Sequence, residues 1–269
     1  MPRRSAARRT APAVVALMVL AGCGGGAPAS GPETPPASDP STAASPLAGT
    51  TAPAAEQPGP QYVDVLRLDF DGGTDEGPYV VQQSPGGALA TAPSPTGTAM
   101  AFPDPCDGTA DESCPRALVE VPDMPGLDPG PDDFRWGATL LLEPSETSKG
   151  SNVVQKGFST GGAGQWKLQV DGLAGRAQCV LVGSGSEEVH VVRGTSSVAD
   201  GAWHEVTCTR SGDALVLAVD GEEQARGPVP ADLQIENAAA VRIGAKSLKP
   251  NNDQFFGLLD EVVVQSVVG

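Results

Sequence analysis

Carboxylates and histidines are the residues of this sequence that could perform acid–base catalysis. A retaining glycosidase needs two carboxylates about 5–5.5 Å apart, which on one strand means acids at alternate positions. The acidic pairs Glu187-Glu188 and Asp260-Glu261 are adjacent instead, so their side chains would point to opposite faces of a strand. His190 and His204 are the two histidines, and no G-x-S-x-G nucleophile motif accompanies them. The sequence therefore predicts a protein that is not an enzyme.

A calcium site is the other chemistry that the acidic residues could provide. Calcium binds about six to eight oxygen atoms, typically from the carboxylates and carbonyls of loops. We favour Asp253 in NNDQFFG, Asp71 in LDFDGG and Asp133 in LDPGPDDF as candidate ligands of Ca²⁺. No full ligand motif is present, and solvated turn residues explain the same aspartates. Both interpretations stay open.

The first 22 residues have the pattern of an export signal. Several arginines precede an apolar run that ends at Ala21, and no acidic residue occurs before Cys23. The run is shorter than the roughly 20 residues that a transmembrane helix needs. Leu20-Ala21-Gly22-Cys23 resembles the bacterial lipobox, in which the cysteine thiol is acylated. We therefore expect residues 1–22 to be a signal peptide and Cys23 to anchor the protein to the outer face of a bacterial cell membrane.

The segment after the predicted anchor differs sharply in composition from the rest of the chain. Residues 23–60 consist almost entirely of Gly, Ala, Pro, Ser and Thr. Such a segment buries too little apolar surface to offset the entropy of ordering. It predicts a disordered stalk that carries a folded domain over residues 61–269.

The charge balance excludes one class of partner. The sequence contains 17 Lys and Arg against 33 Asp and Glu, a formal net charge of −16. Nucleic-acid binding requires a basic face that neutralises phosphates. We therefore expect no nucleic-acid partner.

Four cysteines remain once Cys23 is assigned to a lipid: Cys106, Cys114, Cys179 and Cys208. An even number in an exported chain indicates disulfides, and three pairings are possible. We favour Cys106–Cys114, which would close a loop of turn formers, together with Cys179–Cys208, which would join two strand-like runs. A metal site fits less well because no C-x-x-C motif occurs.

From Tyr62 onward the sequence alternates short runs rich in Val, Leu and Thr with Gly, Asp and Pro. This spacing is typical of an all-β sandwich or barrel. Trp136 and Trp166 lie on the apolar faces of two runs, which predicts core positions rather than an exposed sugar-stacking platform. The predicted strands are 62–70, 79–83, 98–103, 117–122, 134–143, 152–158, 165–171, 176–183, 188–194, 203–210, 214–220, 240–246 and 255–266.

One stretch of the sequence, ADGAWHEVTCTRSGDALVLAVDGEE, resembles the signature of laminin-G-like domains. These are jelly rolls of two antiparallel sheets in the concanavalin A-like lectin/glucanase superfamily. The segment FGLLDEV near the end resembles the family's closing strand. The resemblance covers roughly residues 62–266. The matching residues are Asp200, Gly201, Trp203, His204, Asp220, Gly221, Gly257 and Asp260.

The motif residues have a structural explanation that we prefer to a role in binding. Gly201 permits a turn with positive φ, and Asp220-Gly221 is a hairpin signal. Alternation places His204, Val206 and Cys208 on one face of their strand, with Trp203 on the other. We therefore expect the motif to stabilise the fold.

The resemblance implies lectin-like binding, often with calcium. The leading hypothesis is a non-catalytic binding or adhesion module at the cell surface, with a glycan or protein ligand. A carbohydrate-active enzyme with a divergent carboxylate pair and a purely structural envelope protein are the alternatives.

We predict that Cys23→Ser releases the protein from the membrane fraction or stalls its processing, because serine offers no thiol for acylation. Fractionation of cells that express the full chain, followed by immunoblotting, measures this. A Cys23→Ser protein that has lost its signal peptide but still needs detergent for extraction would contradict lipid anchoring.

Overall fold

The computed structural model describes residues 59–74, 77–106 and 114–268. The chain divides into Met1–Ala55 and Glu56–Gly269, and the description below concerns the second unit. The predicted signal peptide, Cys23 and nearly all of the predicted stalk lie outside the described residues. In the part of the chain that is described, no helix has the length and apolar character needed to cross a membrane.

The described residues are almost entirely β-structure, with one short 3₁₀ helix at Pro144–Glu146. The strands are β1 Gln61–Leu68, β2 Val80–Gln83, β3 Ala90–Pro93, β4 Thr98–Ala101, β5 Ala117–Val121, β6 Phe134–Leu141, β7 Gly150–Gly157, β8 Ala163–Asp171, β9 Arg176–Ser184, β10 Val189–Ser197, β11 Trp203–Ser211, β12 Ala214–Val219, β13 Glu222–Pro228, β14 Val241–Ile243 and β15 Leu258–Val268.

The strands form two antiparallel sheets. The first sheet has eight strands in the order β13-β12-β11-β6-β15-β4-β3, and β1 also pairs with β15. The second sheet has seven strands in the order β10-β9-β8-β7-β14-β5-β2. The predicted all-β sandwich of two antiparallel sheets is confirmed.

Two strands were not predicted from the sequence, and β14 has three residues where seven were predicted. β3 (ATAP) and β13 (EEQARGP) lack the alternating β-branched residues that normally identify a strand. They form because β4 and β12 supply paired neighbours. β14 ends at Ile243 because Gly244 takes a φ of 82°.

The core lies between the two sheets and is centred on large aromatic side chains. Trp136 of β6 and Trp166 of β8 are fully buried, and their ring centroids lie 6.1 Å apart. Phe134 stacks on Trp136 at 4.7 Å. The Trp166 indole donates a hydrogen bond to the Leu127 carbonyl at 3.1 Å. The predicted core positions of both tryptophans are confirmed.

Both disulfides of the favoured pairing are present. Cys179 of β9 and Cys208 of β11 join the two sheets through the core, with 5.8 Å between their Cα atoms. Cys106 and Cys114 form the second bridge. A bridge between the sheets restricts the unfolded chain over a longer loop than the local one does.

We predict that Cys179→Ala/Cys208→Ala lowers the free energy of unfolding by about 3.6 kcal/mol, the loop-entropy value for a separation of 29 residues. Cys106→Ala/Cys114→Ala is the matched control, with an expected loss of about 2.6 kcal/mol for a separation of 8 residues. Urea denaturation of both double variants measures the difference. A larger loss for the local bridge would contradict this ranking.

Candidate functional site

The laminin-G-like motif links the turns at the two ends of the β11–β12 hairpin through His204. His204 lies with one ring nitrogen 2.8 Å from an Asp220 carboxylate oxygen and the other 3.1 Å from an Asp200 carboxylate oxygen. Asp220 and Gly221 have φ angles of 51° and 81°, which suits the two-residue hairpin between β12 and β13. His204 therefore bridges two turns that are far apart in sequence.

Electrostatics support this bridging role. Burial lowers the pKa of His204, but hydrogen bonds to Asp220 and Asp200 outweigh that effect and raise the pKa above its ordinary value. A hydrogen bond from the Ala202 amide, with a further one to His204, lowers the pKa of Asp200. The motif contacts are thus those of a structural clasp.

Gly201, Gly257 and Asp260 also serve the fold. A Cβ at Gly201 would lie 2.8 Å from a Glu143 carboxylate oxygen, and one at Gly257 would lie 2.1 Å from the Leu141 carbonyl. Asp260 is almost fully buried and accepts hydrogen bonds of 2.6 Å from the hydroxyls of Ser94 and Thr96. These contacts agree with the structural explanation preferred for the motif.

The three candidate calcium ligands lie in different surroundings. Asp71 accepts a hydrogen bond from the Thr98 amide, Asp133 accepts one from the Gly212 amide, and Asp253 contacts two lysines. No group of three or more His, Cys, Asp or Glu among residues 59–74, 77–106 and 114–268 is arranged to hold a metal ion. The structure does not bring these aspartates together, and calcium binding stays a prediction.

A cleft lies on the outer face of the second sheet. We call it the second-sheet cleft and define it by Gln155, Phe158, Lys167, Arg242, Lys246 and Asp253; its volume is about 600 Å³. Trp166 and Leu168 face the core, so alternation turns Gln165 and Lys167 to the opposite face. Packing Trp166 and Leu168 into the core therefore places Gln165 and Lys167 in the cleft.

Strand register aligns the floor of this cleft in one row across the whole sheet. The row runs Val80, Glu120, Arg242, Gln155, Lys167, Val180 and Val191. Its centre is polar and its two ends are valines. Gln155 and Lys167 are only 2% and 7% exposed although they point away from the core. Such burial indicates that the face is recessed below the surrounding loops.

Asp253 holds the basic side chains of the cleft in place. One of its carboxylate oxygens lies 3.2 Å from the Lys167 ammonium and 3.1 Å from the Lys246 ammonium. Asp253 has a φ of 55°, an uncommon value outside glycine, and its backbone carbonyl accepts a hydrogen bond from the Asn152 amide at 2.7 Å. The backbone contact therefore fixes the carboxylate that pairs with both lysines.

An exposed aromatic ring borders the same cleft. Phe158 is 38% exposed, and the Arg242 guanidinium lies 5.5 Å from its ring centroid. The sequence pattern drew attention to the tryptophans as possible platforms and gave no sign of this phenylalanine. The sequence placed Phe158 inside a predicted strand over 152–158, whereas β7 ends at Gly157 and leaves Phe158 in the loop before STGG.

The amides of the cleft floor leave an acceptor unused. Gln155 donates to the Gly157 carbonyl at 2.9 Å, and Gln165 donates to that same carbonyl at 3.1 Å. The Gln155 side-chain oxygen has no hydrogen-bond partner within the described residues. This oxygen is buried, and an unsatisfied buried acceptor costs about 1–3 kcal/mol.

A smaller groove lies on the outer face of the first sheet. Its volume is about 280 Å³, and Arg67, Arg135, Glu205 and Glu261 are among the residues that line it. Glu261 forms an ion pair with Arg67. We call this the first-sheet groove. Two carboxylates line it, whereas Asp253 is the one carboxylate among the described residues that line the second-sheet cleft.

We predict that the His204 clasp makes stability depend on pH. Folding raises the pKa of His204, so the protonated ring contributes to the free energy of unfolding. This contribution is fully present below about pH 6.5, the pKa of histidine in the unfolded chain, and is lost as pH rises through the folded pKa. His204→Gln should remove this pH-dependent loss of stability. The loss is expected to be below about 1 kcal/mol because solvent screens the partly exposed pairs. Melting temperatures between pH 5 and 9 (roughly the range that histidine titration spans) measure it, with His190→Gln as the control. An unchanged pH profile in His204→Gln would refute the clasp.

Comparisons with known proteins agree with the fold. Residues 139–268 match a laminin-G family model described as the concanavalin A-like lectin/glucanases superfamily. No curated protein sequence matches the chain significantly.

Among solved structures, domain 4 of AbnA, a GH43 extracellular arabinanase from Geobacillus stearothermophilus in complex with arabinotriose, is similar with a TM-score of 0.55 and 16% identity. The match covers 76% of this chain and 92% of that one. The binding domain of botulinum neurotoxin DC in complex with SialylT gives a TM-score of 0.53 at 12% identity, covering 77% of this chain and 48% of that one.

The binding domain of Paraclostridial Mosquitocidal Protein 1 gives a TM-score of 0.50 at 11% identity, covering 70% of this chain and 44% of that one. The chain thus spans less than half the length of both toxin structures. At these identities the similarity establishes the fold. The family model matches residues 139–268, so this part of the chain is similar to the laminin-G-like domains of the concanavalin A-like lectin/glucanase superfamily.

Proposed function

We propose that this protein is a non-catalytic binding module that recognises a glycan outside the cell through the second-sheet cleft. The observation that carries the proposal is the recessed polar row Arg242, Gln155 and Lys167 beside the exposed ring of Phe158. A volume of about 600 Å³ lies within the range of roughly 300–1,000 Å³ that is usual for small-ligand sites.

The composition of the cleft suits a sugar. Glutamine amides and lysine ammonium groups can hydrogen-bond hydroxyls, and an exposed ring gives an apolar face for a pyranose or furanose. The Arg242 guanidinium lies over the Phe158 ring, 5.5 Å from its centroid. A structure of the same fold is described as a complex with arabinotriose, which is the class of ligand proposed here.

The predicted signal peptide and Cys23 support a location on the outer face of a bacterial membrane. A lipid anchor followed by a Pro-rich stalk would hold the domain away from the bilayer, where it could reach surface glycans. Calcium is an expected cofactor of this fold family, and the polar row described above does not require it. A protein ligand remains the alternative for the same cleft.

A hydrolase is the alternative that a second observation favours. Glu205 and Glu261 line the first-sheet groove together, as a carboxylate pair must in a glycosidase. Hydrolysis of a polysaccharide by the full chain, abolished in Glu205→Gln and Glu261→Gln, would replace the binding proposal with this one. The ion pair between Glu261 and Arg67 favours a structural role for that carboxylate.

We predict that Phe158→Ala weakens saccharide binding about fivefold, because the loss of ring stacking costs on the order of 1 kcal/mol. A glycan array with the full-length protein identifies the saccharide, and isothermal titration calorimetry then measures the affinity. Leu173→Ala is the matched control, since Leu173 is an exposed apolar residue that is not among those lining the cleft. Equal affinities for Phe158→Ala and Leu173→Ala, or an array without any bound saccharide, would overturn the proposal.

A further inference from the structure

The second-sheet cleft has the opposite charge balance to the chain as a whole. Lys167, Arg242, Lys246 and Lys249 line it against the single carboxylate of Asp253. The sequence contains 17 basic and 33 acidic residues, so random placement would favour an acidic cleft. A recessed site of one sign attracts ligands of the other, and the recess strengthens the interaction because less water screens it. The ligand of this cleft is therefore expected to be an anion.

The pairing around Asp253 leaves positive charge uncompensated. The ammonium groups of Lys167 and Lys246 both lie against one oxygen of its carboxylate, at 3.2 and 3.1 Å. Burial lowers the pKa of Lys167, and the nearby Asp253 carboxylate only partly opposes this effect. One carboxylate cannot neutralise two ammonium groups. A second carboxylate, brought by a ligand, would complete the pairing.

The two other cations of the cleft differ in availability. Arg242 is already paired with Glu120, with 3.1 Å between its Nε and a carboxylate oxygen. Lys249 is exposed and forms no ion pair within the described ranges. An incoming anion would therefore meet Lys249 without breaking an ion pair, and Lys246 and Lys167 share the single carboxylate of Asp253.

The neighbours of these lysines indicate what carries the anion. Gln155 and Gln165 present amides on the cleft floor, and Phe158 presents a ring at its edge. A free phosphate has no apolar surface to place against this ring, and an acidic peptide presents flexible side chains rather than a flat face to it. A sugar that bears a carboxylate uses the ring of Phe158 and the lysines together.

We propose that the second-sheet cleft binds a carboxylate-bearing saccharide, such as a uronate residue, with its carboxylate among Lys167, Lys246 and Lys249 and its ring against Phe158. This inference rests on the proposed function and adds the charge class of the ligand.

The test uses matched pairs of saccharides with the full-length protein. Each pair consists of an acidic oligosaccharide, for example trigalacturonate, sialyllactose or an alginate or hyaluronan fragment, and the same molecule after carboxyl reduction. Sulfated oligosaccharides and a polyglutamate peptide complete the panel. We expect the acidic member to bind at least about tenfold more tightly than its reduced counterpart, with affinity falling as sodium chloride rises from about 50 to about 500 mM.

Variants separate the contribution of charge from that of the fold. Lys246→Gln/Lys249→Gln should weaken binding of the acidic member about tenfold and change binding of the reduced member less than about twofold. Arg226→Gln/Arg67→Gln is the matched control, because it removes the same number of charges from the first sheet. Melting temperatures near that of the wild type show that each variant is folded.

The outcomes are distinguishable. Binding of both members of a pair with equal affinity would overturn the acidic ligand and leave the proposed function intact. Binding of the sulfated oligosaccharides or of polyglutamate alone would also overturn it, in favour of another anion. A panel without any bound saccharide would overturn the proposed function and this inference together.

Discussion

The contact between Trp136 and Trp166 is the constraint on which the rest of the domain depends. One ring comes from each sheet, both are fully buried, and their centroids lie 6.1 Å apart. Because side chains alternate along a strand, an inward Trp166 forces Gln165 and Lys167 outward. A register slip of one residue would bury the Lys167 ammonium against the first sheet and expose the indole. The core thus selects the register that builds the cleft on the opposite face.

The two outer faces of the sandwich then acquire different characters. On the second sheet, register aligns Arg242, Gln155 and Lys167 in the middle of a row that ends in valines. Asp253, held by a backbone contact to Asn152, gathers the lysines at one point. On the first sheet, ion pairs such as the one between Arg67 and Glu261 satisfy the charged groups locally. The balance of lining charges distinguishes the two faces: four cationic side chains and one carboxylate line the second-sheet cleft, whereas two arginines and two glutamates line the first-sheet groove.

Alternation and turn residues made the architecture predictable from the sequence. The Trp203 motif, the Asp220-Gly221 hairpin and the favoured disulfide pairing depend on local spacing, and the structure agrees with each of them. The cleft was not predicted because its residues come from strands and loops far apart in sequence, which only the sheet order brings together. Asp253 illustrates the difference: its position in NNDQFFG suggested a metal ligand, whereas the structure pairs it with Lys167 and Lys246.

The most direct test of this account is an NMR titration of the isotope-labelled protein with the saccharide that binds most tightly. Backbone and side-chain amide signals report the position of the ligand residue by residue. The account predicts shifts at Gln155, Phe158 and Lys167, with the signals of the first-sheet groove unchanged. Shifts confined to Glu205 and Glu261 would contradict it and assign binding to the other face of the sandwich.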